Sequence, residues 1–453
     1  MTISSFFIFI PSILLGILTI HLVWPERHPL TLLLKLSLGV GLGLGISSIL
    51  YFLILQVAPG RISIMGIQII LATILLIFTA IRERNRKWNG IYHPKLSGLQ
   101  WGLACTALIA FVISILIFFN TIISRPQGEY DAWSIWNRAA RFIYRDPENW
   151  QATLSPDIAA LGHADYPLLV PLNVAWGWET LGGETLKVPM AQSALFTFAI
   201  ILLMFSSLAV TRTIGQASLA SVVLMASSGF ILNGTNLTAD IPLMFFIFAS
   251  VVLMYLFSLN RNSTLLVLSG FMAGLAGWTK NEGLLFMAIS PIAVIIVSPK
   301  KMSLPFLYYL AGMAIPLAII LYFKSMTPPN DLINSGNSLI EKVKDVSRYW
   351  VILKSLSTVI LDAHVIVFTI YTVIMQSHPN HSSKQGIYTV ATLLILQLLG
   401  YYAIYVITPN DLAWQLVTTQ NRLIMHIIPP GLFLCFNIAA DPETIFSSLS
   451  RRE

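Results

Sequence analysis

Acidic and basic side chains stand at the edges of apolar runs at five places in this chain, and those are the residue types that proton transfer and anion binding use. The first place is Gln127-Gly-Glu-Tyr-Asp-Ala-Trp-Ser-Ile-Trp-Asn-Arg138, which sets Glu129 and Asp131 at the start of a helical pattern beside Trp133 and Trp136. A carboxylate at such a boundary can take a proton from a hydroxyl while the indoles stack on a sugar; it reads equally well as a helix cap favoured by the dipole. The second is His163-Ala-Asp-Tyr-Pro, offering His163, Asp165 and Tyr166 in a turn that re-enters an apolar run. The third is Thr238-Ala-Asp240-Ile-Pro242, where a carboxylate at the edge of a span is costly unless paired or solvated. The fourth is Trp278-Thr-Lys280-Asn-Glu282-Gly283, a polar hairpin between short apolar runs. The fifth runs from Thr408 to Arg422 and ends on an arginine that suits a lipid phosphate or a snorkelling anchor. Taken one at a time, each segment is more commonly structural than functional.

The elements that must position these groups are membrane spans. Of 453 residues, 56% are hydrophobic and 10% charged, with mean hydropathy +0.76; a soluble domain carries about 25% charged residues. The pattern predicts an all-α polytopic membrane protein of about thirteen spans, at 3–23, 30–56, 62–81, 98–122, 188–211, 217–235, 240–259, 264–279, 283–298, 304–323, 351–375, 386–408 and 422–439. Pro242 and Pro291 fall at or within spans, where neighbouring helices can satisfy the freed carbonyls. The first run lacks a charged leader and a cleavage site, so it reads as a retained span. The net charge of +7 is scattered through short loops, which fits the positive-inside rule and not nucleic-acid binding.

The dense basic segment Arg82-Glu-Arg-Asn-Arg-Lys87 is expected inside, with Lys300-Lys301 and Arg451-Arg452. Alternation then puts loop 123–187, 324–350 and 408–421 outside, so that all five segments share one face. Four basic residues within 324–350 run against that orientation. Residues 131–144 carry Ala132, Ile135, Trp136, Ala139 and Ile143 at helical spacing, with Trp133, Trp136, Phe142 and Tyr144 as interfacial aromatics. They predict an amphipathic helix on the membrane surface. Cys105 and Cys435 read as small core residues and not as a disulfide. There is no His/Cys metal spacing and no nucleotide-binding glycine loop, so no cofactor is expected. Scattered carboxylates leave a divalent metal possible without indicating one.

Together, Tyr130-Asp-Ala-Trp-Ser-Ile-Trp-Asn137, His163-Ala-Asp-Tyr-Pro-Leu-Leu169, Ala239-Asp-Ile-Pro-Leu243, Trp278-Thr-Lys-Asn-Glu-Gly283 and Asp411-Leu-Ala-Trp with Arg422 resemble GT-C-type membrane glycosyltransferases. The group is that of protein O-mannosyltransferases and aminoarabinose lipid A transferases, also described as glycosyltransferase family 39-like. The resemblance runs in order from about 95 to 440. It implies a helix bundle whose large first outer loop, 123–187, carries surface helices. The implied reaction moves a sugar from a polyprenyl-phosphate donor to an acceptor hydroxyl outside the cytoplasm, with inversion. The acceptor is a glycan, a lipid or a protein, and the setting is a cell (inner) membrane. Asp131 maps to the base and Asp240 to a second catalytic acid residue. Glu129, Trp133, His163, Asp165, Tyr166, Lys280, Glu282 and Arg422 are the candidate substrate-binding residues. The chain departs from the group in having three spans before the one that leads into the long loop. That divides it into N-terminal spans and a basic loop at 1–95, a catalytic module at 96–440 and a cytoplasmic tail at 441–453. Rival readings are a transporter or flippase, and an O-antigen polymerase or ligase. A transporter of this size would show two related halves with broken helices; no such symmetry is visible.

Overall fold

A computed structural model describes residues 4–26, 28–84, 96–159, 163–227, 229–298, 303–329, 338–360, 371, 373, 375 and 384–444. Among them every regular element is helical. Eight helices are long and apolar enough to cross a membrane: Ser5–Val23, Pro29–Val57, Ile64–Glu83, Gly98–Ser124, Lys187–Thr211, Asp240–Asn260, Ser303–Lys324 and Lys384–Ile407. That fits a multi-pass membrane protein. Three more apolar helices, Ile214–Ala226, Ser263–Thr279 and Asn281–Val297, are shorter. The expected span 422–439 is the second half of Leu412–Ile438, whose first half is polar. The expected span 351–375 lies partly outside the described residues, as does half of 82–87; Lys300-Lys301 and Arg451-Arg452 lie wholly outside them.

Helix Asp240–Asn260 is the centre of the bundle. It packs against Ser263–Thr279, Leu412–Ile438, Lys187–Thr211 and Lys384–Ile407, and its whole apolar window is buried. Gly98–Ser124 is as apolar but keeps only 11% of its window inside the protein. An all-round hydrophobic helix is thus used in two ways, as core and as lipid-facing wall. Cys105 stands exposed on that wall, so it is not the core residue its apolar run suggested; Cys435 is half-buried, and both are free. The helix Pro29–Val57 belongs to the same core as the central helix: Trp278 Nε1 donates to Ser48 Oγ at 3.2 Å, and Phe52 packs edge-on against Trp278.

Loop 123–187 contains a helix that the sequence did not announce. Leu169–Leu181 is buried along most of its length and receives the apolar face of helix Asn137–Arg145. Ala132, Trp136, Ala140 and Ile143 are almost wholly enclosed there. The periodicity over 131–144 was therefore sound, but protein covers the apolar face where a membrane was expected. Trp136 is a core residue and not an interfacial one, whereas Trp133 is 46% exposed. A π-turn at Ala132–Trp136 precedes the α-helix and rotates its register.

Candidate functional site

The central helix begins at Asp240, so this carboxylate sits in the first turn, where the dipole favours it. It is only 3% exposed. Its Oδ1 accepts from Lys280 Nζ at 2.8 Å and from His426 Nε2 at 3.0 Å. Its Oδ2 accepts from Thr238 Oγ1 at 3.0 Å and from Arg422 through Nε at 2.9 Å and Nη2 at 2.8 Å. A carboxylate can only accept, so His426 Nε2 carries a proton, and the Nδ1 of the same ring lies 3.3 Å from the Tyr401 hydroxyl. Every strong site on Asp240 is occupied, which is what permits a charge so far from water.

Lys280 reaches Asp240 because it is the single extended residue between helices Ser263–Thr279 and Asn281–Val297. Gly283 makes that hairpin possible: a Cβ there would lie 1.9 Å from the Ala276 carbonyl oxygen. Lys280 also pairs with Glu282 at 2.8 Å. Arg422 enters from the first half of Leu412–Ile438. Its Nη1 donates to Asp131 Oδ2 at 2.7 Å, so one guanidinium bridges a buried carboxylate and a half-exposed one.

Asp131 is held over this cluster by backbone contacts. Glu129 N donates to Asn236 O at 3.1 Å. Gly128 lies against the same turn with φ +71°, and a Cβ there would fall 2.4 Å from Asn236 O. Leu237, in that turn, adopts φ +59° although it is not glycine, a conformation that costs on the order of 1–3 kcal/mol. Asp131 makes no side-chain cap on the helix it precedes, so its ion pair replaces the capping role that spacing alone favoured.

A second polar group adjoins the first. Asn281 Nδ2 donates to Asp165 Oδ2 at 2.7 Å, and Lys324 Nζ donates to Asp165 O at 2.6 Å and to Asn281 Oδ1 at 2.9 Å. All five segments named from the sequence thus contribute to two adjoining groups, one of Asp131, Asp240, Lys280, Glu282 and Arg422 and one of Asp165, Asn281 and Lys324, which meet at the consecutive residues Lys280, Asn281 and Glu282. Glu129 is exposed and stays outside it. Trp133 also stays outside and pairs edge-on with Tyr130 at 4.8 Å, forming an exposed aromatic patch next to Asp131. His163 stacks on Tyr166 at 4.3 Å, and Tyr166 stacks in turn on Trp136 at 5.4 Å.

Sequence reasoning passed over His426, Lys324, Asn281, Thr238 and Tyr130 as site groups. His426 had a usable signal, since it follows Arg422 by four residues and therefore shares its helix face. Lys324 had been counted only as a charge.

The cluster Asp131, Asp240, Glu282, Lys280 and Arg422 brings together three acidic and two basic side chains. Among the described residues no group of three or more His, Cys, Asp or Glu side chains is arranged to hold a metal ion. The arrangement offers one accessible carboxylate whose charge is shared with a guanidinium, above a buried group of opposite charges in which Asp240 is bonded on both oxygens and Glu282 Oε2 has no hydrogen-bond partner. The chain matches no family model, no curated protein and no solved structure.

Proposed function

We propose that this chain is a membrane glycosyltransferase that moves a sugar from a polyprenyl-phosphate donor to an acceptor hydroxyl at the extracytoplasmic face of the cell membrane. The observation that carries this reading is the Asp131–Arg422–Asp240 bridge, which joins an accessible base to a cation held in place from below.

In this reading the acceptor O–H gives its proton to Asp131 as the oxygen forms a bond to the anomeric carbon. The bond between that carbon and the phosphate oxygen breaks, and its electron pair leaves with the lipid phosphate. Attack from the opposite face inverts the centre through an oxocarbenium-like transition state, as in glycoside hydrolysis. The proton on Asp131 cancels its charge and releases its claim on Arg422 at the moment the departing phosphate gains charge. The guanidinium can then turn its paired N–H groups to that phosphate, stabilising the transition state more than the ground state. Asp240, with Lys280 and His426, acts here as a positioning residue: its oxygens are occupied and it is enclosed, so it orients Arg422 and does not touch substrate. Tyr130 and Trp133 supply exposed ring faces beside the reacting hydroxyl.

The test is release of free polyprenyl phosphate from a labelled lipid-linked sugar by the purified chain, wild type against Asp131→Asn. General-base catalysis contributes about 10²–10⁴-fold, and a loss in that range with an unchanged melting temperature is expected. Near-normal transfer by folded Asp131→Asn protein would remove the base. The side of the membrane is checked separately, with a cysteine at Gln151 in a background lacking Cys105 and Cys435. It should react with an impermeant thiol reagent in intact cells.

A further inference from the structure

The four basic residues within 324–350 that run against the charge pattern of the other loops divide into two pairs. Lys324 and Arg348 are used inside the protein: Lys324 is bonded to Asp165 and Asn281, and Arg348 donates to the Tyr405 and Val406 carbonyls. Lys342 and Lys344, in the last turn of helix Ser338–Lys344, make no ion pair among the described residues. Lys354, on the next helix, Val346–Ile360, makes none either. Over 338–360 the acids Glu341 and Asp345 stand against Lys342, Lys344, Arg348 and Lys354, so this stretch carries an excess of positive charge.

Helix Val346–Ile360 has two unlike sides. Ile352 and Leu356 are buried in one cluster with residues of Lys384–Ile407 and Leu412–Ile438, and Ser355 Oγ donates to Gln420 Oε1 at 2.6 Å, two residues before Arg422. On the other side Val346, Trp350 and Leu353, spaced four and three apart, are 78%, 70% and 52% exposed. Lys354 is exposed beside them, one turn after Trp350. The helix begins level with the end of Lys384–Ile407, whose last carbonyls Arg348 caps, and runs back along it, with the Tyr402 hydroxyl donating to Tyr349 O at 3.0 Å. Because Lys384–Ile407 is long and apolar enough to cross a membrane, this side of Val346–Ile360 is a wall for lipid. Lys354 stands about 9 Å further along it than Arg348. A lysine on such a wall is costly in hydrocarbon unless its stem lies on apolar surface and its ammonium reaches the headgroups. We infer that the wall of Val346, Trp350, Leu353 and Lys354 binds an anionic bilayer lipid, its phosphate on the Lys354 ammonium and its chains along the apolar ridge. A zwitterionic headgroup brings its own cation toward the lysines, whereas an anionic one does not. Lys342 and Lys344 add attraction at longer range. Through Ser355 the bound lipid borders the helix that carries Arg422, but the inference does not rest on the transferase reading.

The experiment is fluorescence quenching of the full chain in phosphatidylcholine nanodiscs. A minor fraction of the lipid is replaced by chain-brominated phosphatidylglycerol or, at the same mole fraction, chain-brominated phosphatidylcholine. The chain has other tryptophans, so the Trp350 signal is taken as the difference between wild type and Trp350→Phe. Brominated phosphatidylglycerol should be enriched at Trp350 by about fivefold over brominated phosphatidylcholine, the preference that one lysine gives near a charged headgroup. Lys354→Gln should abolish that preference and Lys354→Arg should keep it. Arg61→Gln, the same loss of charge at an exposed position on another loop, should leave it intact. Melting in the same nanodiscs shows that each variant is folded; if Lys354→Gln does not fold, Lys354→Met takes its place. Equal quenching by the two brominated lipids overturns the site. An unchanged preference in folded Lys354→Gln or Lys354→Met overturns it as well, since the lysine would then contribute nothing.

Discussion

At the end of the bundle that holds Asp240, cations meet carboxylates inside the protein; at the opposite end they meet backbone carbonyls. Arg212 donates to Asn437 O at 3.1 Å and to Ala439 O at 2.7 Å, with Asp441 at 3.3 Å. Arg261 donates to Val297 O at 2.6 Å, and Arg82 binds Leu22 O. These are helix C-termini, whose last carbonyls lack partners and carry partial negative charge, so a cation there stabilises simply and locally. Arg348 treats the end of Lys384–Ile407 in the same way on the site side, so carbonyl capping is general in this protein. What distinguishes the Asp240 end is a single buried carboxylate held by several cations at once; the far end has the buried Lys35 on a backbone carbonyl and the single pair Arg212–Asp441. Replacing buried ion pairs with well-packed apolar side chains is often neutral or stabilising, so a bundle selected for stability alone has little use for one. Buried charges of this kind in a membrane protein mark function by default.

The comparison can be broken by mutation. The largest effect is expected at Asp240. Asp240→Asn leaves Lys280 and Arg422 without a shared counter-charge and should cost about 3–5 kcal/mol, read as a large drop in detergent melting temperature. Asp240→Asn with Lys280→Met should recover much of it, because both members of a pair are then gone; no recovery would mean that Asp240 stabilises through something other than Lys280. Next comes Arg422. A hydrogen bond to a charged group is worth about 1.5–3 kcal/mol, so Arg422→Ala should lower sugar transfer at least ten- to a hundredfold. Arg422→Lys should restore only part, since lysine lacks the fork that spans Asp131 and Asp240. Full activity with lysine would return Arg422 to the role of an anchor. At the far end, Arg212→Gln should cost about 1–2 kcal/mol of stability and leave turnover per folded molecule unchanged. A fall in turnover equal to that of Arg422→Ala would erase the distinction between the two ends.

The smallest effect is at the edge of the site. Arg145, by its hydrogen bond, holds the Glu184 carboxylate below its usual range. A depressed acid contributes its stability in full above the unfolded-state value of about 4.3 and loses it as pH falls through the lowered folded value. Arg145 is largely exposed, so solvent screens the pair and the change is small. Melting curves of wild type and Glu184→Gln should differ at pH 7 and converge near pH 3.

Continuous apolar runs made most of the spans legible: 240–259 and 98–122 coincide with observed helices because about 20 apolar residues admit few other structures. The gathering of five polar segments at one end was legible too, since helices alternate direction across a bilayer. Which side chains touch was not. His426 lies within an apolar stretch; its spacing of four from Arg422 placed it on that residue's helix face, but its contact with Asp240 depends on how Leu412–Ile438 packs. Leu169–Leu181 escaped notice because thirteen residues with an internal proline read as part of a loop. Over 131–144 the period identified an apolar face but not its cover, because lipid and a neighbouring helix demand the same residues.

The helices on either side of Lys280 are 17 residues each, about 25 Å at 1.5 Å per residue. A bilayer's hydrocarbon is about 30 Å thick. Asn281–Val297 turns Ile292 and Ile295 outward, at 45% and 41% exposure; were this helix to cross the bilayer, lipid tails would have to match a wall several ångströms too short. Such mismatch is met by local thinning, at a fraction of a kcal/mol per ångström. Headgroups beside such a helix would be drawn inward, toward the depth of the Lys280 turn. A long-chain lipid arriving along that wall would find its phosphate already lowered to the level of the charges, with the membrane's own elasticity performing part of the delivery.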